Sequence, residues 1–230
     1  MKMNENAFVS AVIVAAGSSR RMGGINKLLL DLGGKTVLER TVEAFDKNDD
    51  IDEIIITARQ EDIKEYNALL SKYKKVKNIV VGGETRQKSV ANGIAACDEK
   101  STLLAIHDGA RPLVTQQIIS STVSAAKEYG AASCAVPVKD TIKIIDKNSF
   151  ITDTPDRASL RAVHTPQCFD KKLYCACVEK LGEKAKDMTD DCRLAELCGV
   201  KVKLTDSSYT NIKITTAEDI PFALSILKGE

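Results

Sequence analysis

Tryptophan is absent from the 230-residue chain, aromatic residues make up only 4%, and histidine occurs twice, as His107 and His164. Each scarcity excludes something. With so few aromatic faces, stacking on bases is at most a minor theme, and a net charge of +1 argues against an extended nucleic-acid surface. No apolar run approaches the length needed to span a bilayer, and the opening residues Met1-Lys2-Met3-Asn4-Glu5-Asn6 contain no signal-peptide core. The expected location is therefore cytoplasmic, away from membranes. No G-x-G-x-x-G follows the first apolar run, which disfavours a classical dinucleotide-binding oxidoreductase. The seven cysteines (Cys97, Cys134, Cys168, Cys175, Cys177, Cys192 and Cys198) are odd in number, include no C-x-x-C and match no zinc spacing. They read as reduced, core-filling side chains. Cys175 and Cys177, two apart in a helix-like stretch, face different sides and are not expected to act as a pair.

What the chain does contain is concentrated near its start. An apolar run over residues 11–16 stops at Gly17 and gives way to a loop carrying Ser18, Ser19, Arg20, Arg21, Gly23, Gly24 and Lys27. Small residues let backbone N–H groups approach phosphate oxygens, and the basic residues neutralise them. An ordinary basic turn is the plain alternative.

Strand and helix patterns then alternate. Residues 8–16, 53–58, 76–81, 102–107 and 131–136 read as strands; 35–47, 60–74, 86–97 and 115–129 read as helices. Such alternation predicts an α/β fold: a single Rossmann-like three-layer domain spanning residues 1–230, with a mainly parallel twisted sheet. Ligands of such sheets sit at the carboxyl ends of the strands. Those ends carry Gly17 to Lys27, Gly82-Gly83-Glu84-Thr85-Arg86, and His107-Asp108-Gly109-Ala110-Arg111-Pro112. Three strand ends thus deliver glycine, acid and arginine to one place.

After residue 136 the alternation breaks. Two short strand patterns, 141–145 and 150–152, flank Asp146-Lys147-Asn148-Ser149 and predict an inserted β-hairpin arm at about 138–156. A lone hairpin is marginally stable, so it is expected to pack on something, a second subunit being the candidate, with a solvent-exposed excursion as the alternative. Helices at 170–181 and 189–198 stop at Gly182 and Gly199, strands are expected at 200–204 and 211–214, and Thr215-Thr216-Ala217-Glu218 reads as a capping box for a last helix. Pro221 suits that helix only if its start shifts or its axis kinks.

The chain resembles the 2-C-methyl-D-erythritol 4-phosphate cytidylyltransferase family, of the nucleotide-diphospho-sugar transferase fold, from Ala11 to about Leu227. The resemblance rests on the order and spacing of Ala15-Ala16-Gly17, Arg21-Met22 and Lys27; Gly82-Gly83, Arg86 and Ser89-Val90; and His107-Asp108 with Arg111-Pro112. It continues through Pro137-Val138, Asp140-Thr141, Asp156-Arg157, Thr165-Pro166-Gln167, Thr189-Asp190 and Asn211-Ile212-Lys213. Val14, Leu28, Glu84 and Gly109 depart from the family pattern, which favours proline, glutamine, aspartate and alanine there.

The resemblance implies transfer of a cytidylyl group from CTP to a polyol phosphate, with pyrophosphate released. A phosphate nucleophile needs no base, so catalysis is expected to be positioning plus electrostatics. Arg21, Lys27, Arg157 and Lys213 are implied as catalytic, with Arg20 only their neighbour. Ala15, Ala16, Gly17, Ser18, Ser19, Gly82, Gly83, Glu84, Arg86, Ser89 and Asp108 are implied to bind CTP. Asp108, Arg111, Arg157, Thr165, Thr189 and Lys213 are implied to hold the second substrate. Mg²⁺ is expected mainly on the CTP phosphates, with Asp108 its one possible protein ligand. The family also implies a homodimer embraced by the arm, in which Arg157 serves either its own or the neighbouring site.

Plain alternatives stand beside several of these roles: a cap or turn for Ser89, a simple turn for Asp108-Gly109, and ion pairs for Arg111, Arg157 and Lys213. His107 is expected to be structural. Two other functions compete with the first: a ribitol-5-phosphate cytidylyltransferase, and a non-catalytic nucleotide-binding regulator, which would not need the four basic residues.

Overall fold

Strand β1 (Phe8–Val14) is buried at all but its two ends because apolar side chains point alternately to both of its faces. Val9, Ala11 and Ile13 enter one core, while Val14 packs against the other. The same holds for β2 (Glu53–Ala58) and β4 (Ser101–Asp108), and β3 (Val76–Val81) forms the more exposed edge. The computed structural model describes residues 7–17, 26–188 and 190–229.

Seven strands run in the order β3-β2-β1-β4-β8-β5-β9, with β5 at Ala131–Pro137, β8 at Arg161–Asp170 and β9 at Lys203–Asp206. β1 through β4 are parallel, β9 is parallel to β5, and β8 is antiparallel to both of its neighbours. Helices cover both faces. Against one core lie α1 (Val37–Asp46), α2 (Ile63–Leu70), α4 (Gln116–Tyr129) and α7 (Asp219–Lys228). Against the other lie α3 (Arg86–Ala95), α5 (Lys171–Leu181) and α6 (Asp191–Leu197). The expected three-layer α/β architecture with a mainly parallel sheet is present.

Local chemistry sets several boundaries. Thr36 and Glu39 form a reciprocal capping box that starts α1. Gly93 lets α3 press against β1, since a Cβ there would stand 2.6 Å from Val12 Cγ1. That approach brings the N-terminus of α3 beside the end of β1.

Three expectations need correction, and one strand goes unread in the sequence. The helix read over 60–74 is a 3-10 turn, Gln60–Asp62, followed by a shorter α2. β8 shows no strand pattern in the sequence, yet it occupies the middle of the sheet. Its Pro166 falls where the β5–β8 register shifts, the place where a residue without an N–H is tolerated. Residues 211–214 alternate like a strand but join no sheet; the Ile214 side chain is buried in the core and its N–H donates to Ala110 O at 2.8 Å. Finally, Asp219 rather than Glu218 receives the N–H groups of Thr215 and Thr216, at 2.6 and 2.9 Å. The start of α7 moves accordingly, and Pro221 falls in its first turn, where a missing N–H leaves no bond unmade.

The arm leaves the sheet after β5 and returns into β8. Its hairpin pairs β6 (Ile144–Ile145) with β7 (Ile151–Asp153), and Asp146 Oδ1 accepts from the N–H groups of Asn148 and Phe150 at the turn. Every residue from 141 to 154 is exposed, Phe150 to 70%.

Candidate active site

At the carboxyl ends of β1, β3 and β4 the chain is tied edge to edge. Ala15 N donates to Thr57 O at 2.8 Å, Gly82 N to Ala58 O at 2.8 Å, and Gly109 N to Val14 O at 2.9 Å. Gly82 has no room for a side chain, because a Cβ would collide with that of Ala16 and come within 2.9 Å of Ser89 Oγ. These ends wall a cavity of about 480 Å³ whose lining includes Ala15, Ala16, Gly17, Lys27, Gly83, Glu84, Arg86, Ser89, Asp108 and Lys213.

Asp108, the last residue of β4, is the electrostatic centre. Lys213 Nζ lies 2.9 Å from its carboxylate, Arg111 Nε 3.6 Å and Arg86 Nε 3.7 Å. Burial alone would raise its pKa, but Lys213, then Arg86 and Arg111, outweigh that and hold it well below the usual carboxylate range. Asp108 therefore stays ionised, and three cations share its charge.

Each cation is held in turn. Arg86 opens α3, whose N-cap Thr85 accepts from Lys88 N–H. Its Nη1 donates to Asp191 Oδ2 at 2.6 Å. Burial opposes charge on Arg86, but Asp191 and Asp108 more than compensate and raise its pKa. Arg111 Nη1 donates to Asn211 O at 2.7 Å, and burial lowers the pKa of its guanidinium. Lys27 Nζ donates to Ile214 O at 2.7 Å, so the segment carrying Lys213 also holds Lys27. Asn211 anchors that segment, its Nδ2 donating to Thr165 O at 3.0 Å.

Beneath Asp108 lies a neutral layer. His107 is fully buried, and burial drives its pKa down to about 3. Arg111 O can only accept, so His107 Nε2, 3.3 Å away, carries the proton; Nδ1 then accepts from the Thr165 hydroxyl at 3.0 Å. Thr165 Oγ1 in turn accepts from Asp108 N–H at 3.1 Å. His107 thus supports the backbone that presents the carboxylate.

The expected residues divide accordingly. Ala15, Ala16, Gly17, Lys27, Gly83, Glu84, Arg86, Ser89, Asp108 and Lys213 meet at the cavity, and Gly82 forms the turn behind it. The Ser89 hydroxyl accepts from Gly83 N–H at 3.0 Å and donates to Thr85 O at 3.0 Å, which makes it a brace for that turn. Arg111 and Thr165 lie behind the wall. Arg157 stands on the arm, away from the cavity, with Nη1 donating to Lys139 O at 2.7 Å. Ser18, Ser19, Arg20, Arg21 and Thr189 fall outside the described residues. Sequence reasoning missed Asp191 and Tyr174. Asp191 carries no local signal beyond following Asp190, and a buried tyrosine on a helix looks like ordinary core.

The family model of 2-C-methyl-D-erythritol 4-phosphate cytidylyltransferases (IspD) matches residues 9–229. The chain belongs to that family. A curated relative from Caldanaerobacter subterraneus, named 2-C-methyl-D-erythritol 4-phosphate cytidylyltransferase, is 49% identical over 96% of this chain and 99% of its own. A 4-diphosphocytidyl-2C-methyl-D-erythritol synthase from Anaerococcus prevotii superposes with a TM-score of 0.88 at 38% identity, covering 96% of each chain. A cytidylyltransferase structure from Thermus thermophilus gives a TM-score of 0.78 at 30% identity, covering 96% of this chain and 99% of the other.

Proposed function

We propose that the chain is a 2-C-methyl-D-erythritol 4-phosphate cytidylyltransferase of the non-mevalonate isoprenoid route. The single observation that carries this reading is the trio of cations Arg86, Arg111 and Lys213 gathered on the ionised Asp108 at a sheet-end cavity that Lys27 also lines, in a chain of this family.

A phosphate oxygen of methylerythritol 4-phosphate attacks the α-phosphorus of CTP in line. The new oxygen–phosphorus bond forms as the bond to the β-phosphate bridge breaks, and the electron pair leaves on pyrophosphate. No proton moves in the step. The protein's task is to bring two polyanions together and to stabilise charge on the α-phosphoryl oxygens. Arg21 and Lys27 act on the triphosphate, Lys213 on the attacking phosphate, and Asp108 keeps Lys213 aimed while limiting mutual repulsion among the cations.

Among the described residues no group of three or more His, Cys, Asp or Glu side chains could hold a metal. Asp108 and Glu84 are the carboxylates among the cavity's described lining, a sparse set that fits Mg²⁺ carried mainly by phosphates, which would supply further charge neutralisation. The exposed arm supports a homodimer in which its apolar residues are covered and Arg157 reaches a site. None of the described helices is long and apolar enough to cross a membrane, and the enzyme is taken to work in the cytoplasm.

Pyrophosphate release from CTP with Mg²⁺ tests the reading. Turnover is expected with methylerythritol 4-phosphate and not with ribitol 5-phosphate. Turnover with ribitol phosphate alone, or with neither, would overturn it.

A further inference from the structure

Arg86 reaches the cavity under the control of residues that do not line it. Its guanidinium is drawn between two carboxylates, with Nη1 2.6 Å from Asp191 Oδ2 and Nε 3.7 Å from Asp108 Oδ1. With Asp108 as its only partner, Arg86 would close that longer gap, since a two-pronged grip on one carboxylate suits the guanidinium fork. It would then compete with Lys213 for Asp108 and spend on that carboxylate the N–H groups that could meet a ligand. Asp191 prevents this.

Asp191 is completely buried, and two contacts fix it. Its backbone N–H donates to Gln167 Oε1 at 2.9 Å, and its Oδ1 accepts from the Tyr174 hydroxyl at 2.7 Å. Among the described residues Tyr174 is the sole donor to that oxygen, so its loss leaves half of a buried carboxylate unsatisfied. Tyr174 is equally buried, its ring centroid 5.3 Å from that of Phe169. Burial and then Asp191 push its pKa well above the ordinary value, so the hydroxyl remains a donor. The hydroxyl also lies 3.2 Å from Gln87 Oε1, a longer contact to a neutral acceptor and therefore the weaker one.

We propose that Tyr174 is a positioning residue for nucleotide binding: through Asp191 it holds Arg86 back from Asp108, so that the guanidinium faces the triphosphate. The proposal rests on reading the cavity as the CTP site. Wild-type turnover of CTP with methylerythritol 4-phosphate tests that reading on its own, and its absence would remove the reading whatever Tyr174 does.

With turnover present, Tyr174→Phe keeps the ring and deletes the donor. The dissociation constant for CTP, measured without the second substrate, is expected to rise about fivefold or more. At saturating CTP, kcat and the KM for methylerythritol 4-phosphate should stay within about twofold of wild type, a split that general loosening would not give. In an Arg86→Lys background, Tyr174→Phe should add almost nothing, because its route of action is already gone. Leu70→Ala, in the opposite core, is the control: it should lower the melting temperature without moving CTP affinity. CTP affinity unchanged in Tyr174→Phe, an equal loss in the Arg86→Lys background, or the same loss in Leu70→Ala would each overturn the proposal. If Tyr174→Phe does not fold, Asp191→Asn, which keeps shape and removes charge, carries the same expectations.

Discussion

The cavity and the arm solve opposite problems. Around Asp108 the cations have partners within their own chain: Lys213, Arg86 and Arg111 on the carboxylate, Asp191 on Arg86, and Ile214 O on Lys27. The arm has the reverse character. Ile144, Ile145, Phe150 and Ile151 are exposed, and the polar contacts of the arm are local. The polar contacts at Asp108 come from within one chain, while the arm leaves apolar surface uncovered. Isolated exposed apolar residues are unremarkable, but four on one small hairpin suit an interface.

The largest expected effect strikes the cavity. Lys213→Ala should cut turnover by about 10²–10³, the usual cost of one preorganised charge. Because Lys213 is partly exposed, with 39% of its side chain accessible, the melting temperature should move little. Near-wild-type pyrophosphate release would break the claim that this charge is at work. Next comes the arm. Replacing Phe150 and Ile151 together by serine should halve the mass measured by light scattering and make turnover fall on dilution, roughly tenfold at nanomolar enzyme, if dissociation follows ordinary mass action. An unchanged mass with full activity would leave the arm a mere excursion.

Acid offers a third separation. The unfolded His107 titrates near 6.5, but in the fold burial holds it at about 3. Between those values the unfolded chain binds the extra proton, so stability present above pH 6.5 is lost as pH falls toward 3. The slope is on the order of 1 kcal/mol per pH unit. Denaturation midpoints from pH 7.5 to 4.5 should show it, and His107→Asn should reduce the slope without abolishing it, because burial also lowers His164, to about 4; equal slopes would reassign the effect. The smallest change belongs to the root of the arm, where Tyr209 donates to Pro137 O at 2.7 Å and Lys139 Nζ sits 3.7 Å over its ring. Tyr209→Phe removes one exposed bond of about 0.5–1 kcal/mol and should alter turnover less than twofold. A larger loss would tie the arm root to the chemistry.

Much of this architecture is legible in the amino-acid sequence. The parallel strands announce themselves because burial on both faces makes them continuous apolar runs, and the cavity residues Asp108 and Arg86 follow from where those strands end. β8 does not. Arg161-Ala162-Val163-His164-Thr165-Pro166-Gln167 mixes charge, polar groups and proline, and only pairing on both sides reveals it as a strand. Residues 211–214 mislead in the other direction, since Ile212 and Ile214 alternate with polar residues although the segment joins no sheet. Tyr174 and Asp191, seventeen positions apart along the chain, meet Arg86 only through tertiary packing. No periodicity records such a meeting.

Pro137 and Arg161 face each other across the β5–β8 ladder, so everything between them leaves and re-enters through one doorway. Closing a flexible loop costs only about 0.6 kcal/mol more for each doubling of its length. Insertions and deletions there leave the ladder in register. Over evolutionary time the arm can be lengthened or shortened at that doorway while the strands that present Asp108 keep their alignment.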